Sequence, residues 1–373
     1  MLNLQHINKN VRQMDSNTTV ESILAAIRCL SERDLLLLLS KLFGDDSAAY
    51  AQSLTSFVSE NKFTDGVVCP HCGKRHVVRN GHRKDGAQKY MCADCGKSFT
   101  ARTNTITAGS PKPLAVWKKY IDCIINELPL RKAAQECGMA VSTSFAWRHK
   151  ILDALRNMAD GVKLSGITES DDTYFPLSFK GNHKKSKDFE MGRAPRKRGG
   201  DGISKGLSED LVCVPCAVDR KGHSIAEVSN LGACSAEDLN NVLGARIESG
   251  STFCTDGSKA QNKYAATHQL ECVPIKGGKS KKGIYHIQHI NSYHSVLKKF
   301  IGNFNGVSTK YLNNYLVWNN FVNYSKKTVE EQRAVLLNFA LTTSKKMTFD
   351  MIPARPAVPL PSALMKNQSD KLT

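Results

Sequence analysis

Two pairs of cysteines constrain the fold of this chain more than any other feature of its sequence. Cys69 and Cys72 form the first C-x₂-C pair, Cys92 and Cys95 form the second, and 19 residues separate the inner cysteines. This spacing is typical of a structural zinc site, in which four thiolates complete a tetrahedron around one Zn²⁺. A segment of about 35 residues buries too little apolar surface to fold alone, and the ion would supply the missing stability. The alternative is four unrelated buried thiols.

The residues between the cysteine pairs predict a β-hairpin. Val77-Val78 and Tyr90-Met91 have strand-forming side chains, and Asp85-Gly86 between them is a favoured turn sequence. We therefore predict a zinc-binding module over residues 61–105. The preceding residues 1–60 show apolar side chains at helical spacing and predict an N-terminal helical segment.

The charge of the chain indicates a polyanionic partner. Its 373 residues include 52 Lys and Arg against 34 Asp and Glu, which gives a net charge of +18. Polymeric phosphate is the commonest partner of so basic a protein, although a merely soluble basic protein is the alternative. The N-terminal region lacks an apolar signal-peptide core, and the leucine run at 35–39 is too short to span a bilayer, so we expect no membrane association. The twelve cysteines are expected to be reduced or metal-bound.

Residues 110–160 have the pattern of a helix-turn-helix. An apolar helical stripe is followed by a small residue, Ala134, a glycine in the turn, Gly138, and the capping segment Ser142-Thr143. An ordinary helical hairpin is the alternative. In the helix-turn-helix interpretation, the second helix presents a set of polar side chains to DNA, namely Ser144, Arg148, His149 and Lys150.

Residues 163–340 alternate predicted strands and helices, which indicates a mixed α/β domain. Five predicted strands have apolar cores: Gly166 to Asp171, Leu211 to Val218, His223 to Val228, Ser251 to Thr255 and Glu271 to Ile275. Ser235 and Asp238 have the spacing of a helix capping box. Cys213 and Cys216 form another C-x₂-C pair, but they lie in an apolar run without a second pair nearby, so we expect buried free thiols.

Four residues of this domain are candidates for metal-dependent chemistry. Asp171 and Asp256 each end a predicted strand, and Glu169 and Asp172 flank the first of them. Asn291 and Lys298 lie two helical turns apart and therefore on one helix face. Oxygen ligands gathered from separate elements of a basic protein suggest Mg²⁺-dependent phosphodiester chemistry. Three histidines surround Asn291, and we expect them to be phosphate contacts or loop residues rather than zinc ligands: His286, His289 and His294.

A basic insertion and a proline-rich tail interrupt and end this domain. Between Lys180 and Lys205 there are nine Lys or Arg and three Asp or Glu, so residues 176–210 are predicted to be a loop. The loop either contacts DNA phosphates or is a solvated insertion. Its candidate DNA contacts are Lys184, Lys185, Lys187, Arg196, Lys197 and Arg198. Residues 350–373 are predicted to be a disordered tail.

The chain resembles the ISXO-type insertion-sequence transposases over roughly residues 60–330. The resemblance rests on the four cysteines, the segment at 142–150, Glu169-Ser-Asp171-Asp-Thr-Tyr174, Thr255-Asp256-Gly257, and the segment from Asn291 to Lys298. It implies an N-terminal zinc ribbon, a helix-turn-helix and an RNase H-like catalytic core. Asp171 matches the family's first catalytic aspartate and Asp256 the second. Asn291 matches the third ligand, often glutamate in relatives, and Lys298 a downstream lysine.

The resemblance also implies a reaction. Two Mg²⁺ or Mn²⁺ ions would bind Asp171, Asp256 and Asn291, and strand cleavage and strand transfer would occur at terminal inverted repeats. The implied partner is double-stranded DNA, both transposon ends and target, bound by a homo-oligomer in the prokaryotic cytoplasm at the nucleoid. Two alternatives remain: an inactive transposase-derived DNA-binding protein, which the neutral Asn291 admits, and a structure-specific nuclease that cuts without joining.

Overall fold

The structure is a computed structural model that describes residues 48–181, 210–275, 281–343 and 349–360, with five isolated positions before residue 48. The chain divides into two compact units. One comprises residues 1–103 and 109–118, and the other comprises residues 104–108 and 119–373. No helix in the described ranges combines the length and apolarity that crossing a bilayer requires.

The first unit contains a helix and a small antiparallel sheet. Helix α1 spans Ala48–Lys62, and the strands are β1 (Val77–His82), β2 (Gln88–Cys92) and β3 (Ser98–Thr100), in the order β1-β2-β3. Val77 pairs with Cys92, and Gly86 takes a φ of 78° in the turn. The predicted hairpin is therefore confirmed. Its small core includes Tyr90 stacked on Phe99, with ring centroids 5.5 Å apart.

Three helices follow: α2 (Leu114–Ile125), α3 (Leu130–Glu136) and α4 (Val141–Ala159). The unit boundary falls within α2, so the region 110–160 does not form a unit of its own. Two later helices, α8 (Leu312–Tyr324) and α9 (Val329–Thr342), pack against α4. Polar bonds reinforce this packing: Trp318 Nε1 donates to the Ile124 carbonyl at 2.9 Å, and Asn314 Nδ2 donates to Asp153 Oδ1 at 3.0 Å.

The packing of α4 corrects the prediction that Ser144 and Arg148 face DNA. Both side chains are fully buried. Ser144 Oγ donates to the Leu130 carbonyl at 3.1 Å, so it joins α4 to the start of α3. The Arg148 guanidinium lies 4.9 Å from the Trp318 ring centroid. His149 is also buried, and Lys150 alone of the four predicted contacts is half-exposed.

The second unit is built on a mixed sheet. Its strands are β4 (Ile167–Pro176), β5 (Leu211–Asp219), β6 (Ser224–Ala226), β7 (Asn230–Leu231), β8 (Thr252–Thr255) and β9 (Glu271–Pro274). The order is β6-β5-β4-β8-β9, with β7 paired to β5. β5 is antiparallel to β4, whereas β8 is parallel to both β4 and β9. The predicted mixed α/β core and the chain order of its elements are therefore confirmed.

Helices cover both faces of this sheet. They are α5 (Ala236–Val242), α6 (Lys259–Thr267) and α7 (Gln288–Gly302). Leu239 of α5 and Tyr264 of α6 bury against Phe253 of β8 in one cluster. Helix α7 packs on β4 and β5 through a buried face that includes Tyr293 and Leu297. The predicted capping box of α5 is present, and Cys213 and Cys216 are buried free thiols, as expected.

The prediction of a disordered tail from residue 350 is wrong for residues 349–360. Ile352 is fully buried, and Lys310 Nζ donates to the Pro353 carbonyl at 3.2 Å. Arg355 forms an ion pair with Asp153 of α4. A buried apolar side chain and a partnered charge hold this segment on the second unit. The rest of the predicted tail, 361–373, lies outside the described residues.

Candidate active site and zinc module

The four cysteines of the first unit converge on one point. Their sulfur atoms all lie within 4.8 Å of one another. Cys69 Sγ is 3.7 Å from Cys95 Sγ, and Cys72 Sγ is 3.5 Å from Cys92 Sγ. Tetrahedral Zn²⁺ with Zn–S bonds of about 2.3 Å places its sulfur ligands about 3.8 Å apart. The arrangement fits one structural zinc ion.

The backbone around each cysteine pair has the same local geometry. The amide of Gly73 donates to the Cys69 carbonyl, and the amide of Gly96 donates to the Cys92 carbonyl, each at 2.9 Å. Both glycines have positive φ, 73° and 68°, which side chains with a Cβ rarely adopt. The two tight turns bring the second cysteine of each pair back toward the first. Sequence spacing predicted all four ligands, and the structure brings them together.

In the second unit, Asp171 and Asp256 lie on neighbouring parallel strands. Ser170 of β4 pairs with Thr255 of β8, so the residues that follow them, Asp171 and Asp256, are neighbours at the same level of the sheet. Asp256 leaves the end of β8 and is exposed, and its Oδ1 accepts from the Ser258 amide at 2.8 Å. The strand register therefore brings the two predicted carboxylates to one edge of the parallel part of the sheet.

Asp171 and Asp172 face opposite sides of the sheet because successive side chains of a strand alternate. Asp171 Oδ2 is 3.8 Å from His294 Nδ1 on α7. Asp172 Oδ1 instead accepts from Gln261 Nε2 on α6 at 3.1 Å. Of these two aspartates, Asp171 is the one whose side chain lies on the same side of the sheet as the helix that carries Asn291 and Lys298.

Burial and neighbouring negative charge disfavour the ionised forms of Asp171 and Asp172. The pKa of Asp171 is raised to about 6, chiefly by burial and also by the negative charge of Asp256, while a hydrogen bond from the Asp172 amide and the charge of Lys298 oppose the shift. Burial likewise raises the pKa of Asp172 to about 6, with added repulsion from Asp171 and Asp256. Uncompensated negative charge at this depth favours a bound cation or proton. A divalent cation with oxygen ligands meets that requirement.

Helix α7 presents a polar stripe beside its buried face. Asn291, His294 and Lys298 are three and four residues apart, so they lie one above another. Asn291 and Lys298 are exposed, and His294 between them is nearly buried against Asp171. Burial and the positive charge of Lys298 lower the pKa of His294 to about 4, so its imidazole is neutral near pH 7. Its Nε2 has no hydrogen-bond partner among the described residues.

Glu169 connects the strand of Asp171 to the start of this helix. It lies two residues before Asp171 on the same face of β4 and is fully buried. Its Oε2 accepts from the amides of His289 at 2.8 Å and Ile290 at 3.2 Å, and its Oε1 accepts from His289 Nδ1 at 2.7 Å. These bonds satisfy free amides in the first turn of α7.

His286 and Arg220 complete the surroundings of Glu169. His286 Nδ1 is 3.2 Å and Arg220 Nη2 is 3.5 Å from Glu169 Oε1. The atoms of Glu169, His286 and His289 lie close enough together to hold a metal ion. However, Arg220 Nη2 is also 3.1 Å from His286 Nε2, so a guanidinium already supplies positive charge there. The contacts of this cluster are therefore explained by its structural role, which is to attach the first turn of α7 to β4.

Sequence reasoning assigned no role to Glu169. It expected His294 to be a phosphate contact or a loop residue, whereas His294 lies within α7 against Asp171. Glu169 was visible only as one member of an acidic cluster, and His294 as one of three histidines. Their spacing in the sequence could have identified them. Glu169 lies two residues before Asp171 in the same strand, and His294 lies one helical turn from both Asn291 and Lys298. The six predicted basic DNA contacts of the insertion, from Lys184 to Arg198, lie outside the described residues.

Comparisons with known proteins match both regions of the chain. The transposase zinc-ribbon domain matches residues 53–98, which include all four cysteines. The ISXO2-like transposase domain matches residues 163–321, which include Asp171, Asp256, Asn291 and Lys298. Together the two matches cover more than half of the chain.

One curated relative matches more than two thirds of the chain. It is described as an uncharacterized protein in transposable element ISH50 of Halobacterium salinarum, and it is 25% identical over 264 residues, which are 70% of this chain and 86% of the relative. No solved structure matches the chain significantly. The zinc-ribbon match, the transposase-domain match and their order along the sequence agree, and the chain belongs to the ISXO2-like, zinc-ribbon family of insertion-sequence transposases.

Proposed function

We propose that this protein is a DNA transposase that binds the terminal inverted repeats of an insertion sequence and catalyses divalent-metal-dependent strand cleavage and strand transfer. One observation supports this proposal above the others. Asp171 and Asp256 end up side by side on parallel strands, opposite a helix that bears Asn291, His294 and Lys298. A DNA-binding protein without catalysis has no need to place the buried Asp171 carboxylate beside Asp256.

The sheet supports an RNase H-like core. Three antiparallel strands, β4, β5 and β6, are followed by the parallel strands β8 and β9, and β4 lies at the centre. Proposed ligands then come from the central strand, from the end of its parallel neighbour and from helix α7. This placement agrees with what the resemblance implies for the fold.

Asp171, Asp256 and Asn291 are the proposed ligands of two Mg²⁺ or Mn²⁺ ions. Such ions supply Lewis-acid activation of the attacking oxygen and stabilise the leaving oxygen. Asn291 offers an amide oxygen and one less negative charge than glutamate, so it leaves more net positive charge in the loaded site. Lys298, exposed on the same stripe, is placed to contact a phosphate near the cut. Asp172 is not a proposed metal ligand, because its side chain faces α6.

Two further side chains position this site. His294 contacts Asp171 from α7, and Glu169 holds the first turn of the same helix. The role of Glu169 is to fix α7 relative to β4, and that of His294 is to orient Asp171. Neither is proposed to touch the reacting atoms.

DNA binding is proposed to use several parts of the chain. The zinc ribbon and the α3–α4 pair, interpreted as a helix-turn-helix, would read the transposon ends through side chains such as the exposed Ser142 and the half-exposed Lys150. Ser144 and Arg148 are not proposed as contacts. A homo-oligomer would hold two ends and the target, at the nucleoid in the cytoplasm. The net charge of +18 supports the polyanionic partner.

The test is incubation of the purified protein with a labelled terminal-repeat duplex and Mg²⁺. Transposase activity predicts nicked ends and products joined to target DNA, both absent with a chelator. Binding without nicks would indicate the inactive DNA-binding alternative. Nicks without any joined product would indicate a structure-specific nuclease.

The proposed positioning role of His294 can be tested separately. We expect His294→Leu, which keeps the volume but removes both ring nitrogens, to slow cleavage by about 10- to 100-fold, the usual cost of losing a partner that orients a metal ligand. Duplex binding should be unchanged. His268→Leu on α6 is the matched control, since His268 instead pairs with Asn240. A parent-like cleavage rate in His294→Leu would refute the positioning role.

The basic insertion makes a prediction from charge alone. Neutralising Lys184, Lys185, Lys187, Arg196, Lys197 and Arg198 together should weaken binding to every duplex by a similar factor. The slope of log affinity against log salt should flatten by somewhat under ~1 for each DNA phosphate that the variant no longer neutralises. Affinity titrations at several salt concentrations measure both effects. An unchanged slope would show that the insertion is solvated and does not contact DNA.

A further inference from the structure

The second unit contains a cavity of about 880 Å³ that the proposed chemistry does not use. It lies between helix α4 and the segment that follows α7. Aromatic rings form much of its wall: Phe145, Tyr311 and His149 contact one another, with the His149 and Tyr311 centroids 4.3 Å apart. Burial lowers the pKa of His149 well below its usual value, so its ring is neutral. Faces of this kind stack on flat ligands.

The charge of the cavity is one-sided. Among the described residues that line it there are four Lys or Arg and no Asp or Glu. Arg131 is exposed at the rim, whereas Arg148 and Lys310 are buried in the wall. Lys180 Nζ donates to the carbonyls of Phe304, Asn305 and Gly306 at 3.2, 2.8 and 2.8 Å and shapes the adjoining loop. An aromatic wall with uncompensated positive charge suits an anion that has a flat ring.

Arg148 contributes positive charge to the cavity wall but no surface that a ligand can contact. It is fully buried, and its Nη2 donates to the Leu128 carbonyl. Its Nε and Nη1 have no hydrogen-bond partner among the described residues and are closed to solvent. Ring contacts with Trp318 and Phe304 offset part of the cost of burying this charge. The groups that a ligand can reach are the half-exposed rings of Phe145 and Tyr311 and the exposed side chain of Arg131.

The cavity lies at the far ends of the two elements that hold the candidate active site. Asn303 and Phe304 follow α7 directly, and Lys180 follows β4 by a few residues. Asn291 and Asn303 are separated by 12 residues, which in a helix is about 18 Å. At about 3.4 Å per nucleotide along one strand, this corresponds to roughly five nucleotides. A strand held at the active site can therefore reach the cavity.

We propose that this cavity binds one unpaired nucleotide of the DNA, with the base against Phe145 and Tyr311 and its phosphate at Arg131 on the rim. The inference rests on the proposed function, because it assumes that the anion is DNA. It assigns a site to single-stranded DNA roughly five nucleotides from the proposed point of cleavage. Base–aromatic stacking tolerates all four bases, so the site is expected to be largely independent of sequence.

Photo-crosslinking locates the bound base. The probe is a single-stranded oligodeoxynucleotide in which one thymine is replaced by 5-iodouracil, irradiated with the full-length protein and digested for mass spectrometry. The expected adducts lie on Phe145 or Tyr311. Adducts confined to the zinc module or to other surfaces would overturn the inference.

Affinity measurements with the unsubstituted oligonucleotide give an independent test. Tyr311→Leu is expected to weaken single-strand binding by roughly 5- to 150-fold, the usual effect of losing one stacking ring, and to leave duplex binding unchanged. Tyr324→Leu is the matched control, because Tyr324 stacks on Tyr293 outside the cavity. Circular dichroism checks that both variants fold.

Arg131→Gln keeps the test decisive if Tyr311→Leu does not fold. Arg131 is exposed, so its substitution leaves packing intact, and it should weaken single-strand binding and flatten its salt dependence. Parent-like affinity in this variant together with no adduct in the cavity would sink the inference. Cleavage of the terminal-repeat duplex is scored separately: a protein that cleaves but gives no cavity adduct refutes this site and leaves the proposed function standing.

Discussion

Asp256→Ala is expected to lose strand cleavage and strand transfer while it still binds the transposon ends. The loss should exceed the roughly 10- to 100-fold cost of removing a residue that only orients a ligand, because a proposed ligand itself is gone. Asp171→Ala should behave in the same way, since the strand register makes the two carboxylates neighbours. The backbone hydrogen bonds of the two side chains are local, from the Ser258 amide to Asp256 and from the Asp172 amide to Asp171, so the variants are expected to fold. The measurement is nicking and joining of a radiolabelled terminal-repeat duplex with Mg²⁺, beside a gel shift of the same DNA.

The control for these variants is Glu248→Ala, which removes an exposed carboxylate just before the opposite end of β8. It should cleave like the parent protein. Asn291→Ala should be severely impaired, whereas Asn291→Asp restores an oxygen ligand with added charge and should keep partial activity with an altered preference for Mg²⁺ or Mn²⁺. If Asp256→Ala cuts as well as the parent, the proposed site is wrong and these acids are ordinary strand-end residues.

Cys92→Ser is expected to abolish zinc binding and unfold the first unit's small sheet. Apparent zinc affinities of such sites are about 10–16 kcal/mol near pH 7, far more than so small a core contributes by itself. Elemental analysis should give about one zinc per chain for the parent protein and close to none for the variant. A chelator strong enough to remove the ion should produce the same unfolding in the parent.

Cys29→Ser provides the matched control, because Cys29 is an exposed free thiol outside the four-cysteine cluster. It should retain full zinc and native circular dichroism. Full zinc content in Cys92→Ser would contradict the four-thiolate assignment. The gel shift that accompanies the cleavage assay is informative here too. Loss of end-binding in Cys92→Ser would assign DNA contact to the zinc module.

The features that could be predicted from the sequence are those with local rules. Cysteine spacing predicted the four convergent sulfurs, and the Asp85-Gly86 turn predicted the hairpin around it. The period of apolar residues predicted the order of strands and helices in the α/β core. Ser235 and Asp238 predicted the start of α5 because a capping box involves only four consecutive positions.

The features that could not be predicted depend on long-range packing. Helix α8 contains the buried polar residues Asn313, Asn314 and Asn319, so its sequence gives little sign that it covers α4. That cover is what removes Ser144 and Arg148 from solvent. The segment after residue 349 has the composition of a disordered tail, but residues far away in the sequence hold it in place: Asp153 pairs with Arg355, and Lys310 donates to the Pro353 carbonyl. The register between β4 and β8, which brings Asp171 beside Asp256, likewise joins residues that are far apart in the sequence.

The bonds from Glu169 to the first turn of α7 bear on which cations the site tolerates. They are buried, they join the strand of Asp171 to the helix of Asn291, and they involve none of the proposed metal ligands. Folding therefore already holds the proposed metal ligands of β4 and α7 near one another, and binding an ion costs little further conformational entropy. The same rigidity limits adaptation to ionic radius. Mg²⁺ and Mn²⁺ suit short, nearly octahedral coordination, whereas Ca²⁺ requires donors that can move apart, and Ca²⁺ would therefore occupy such a site without supporting the geometry of the reaction.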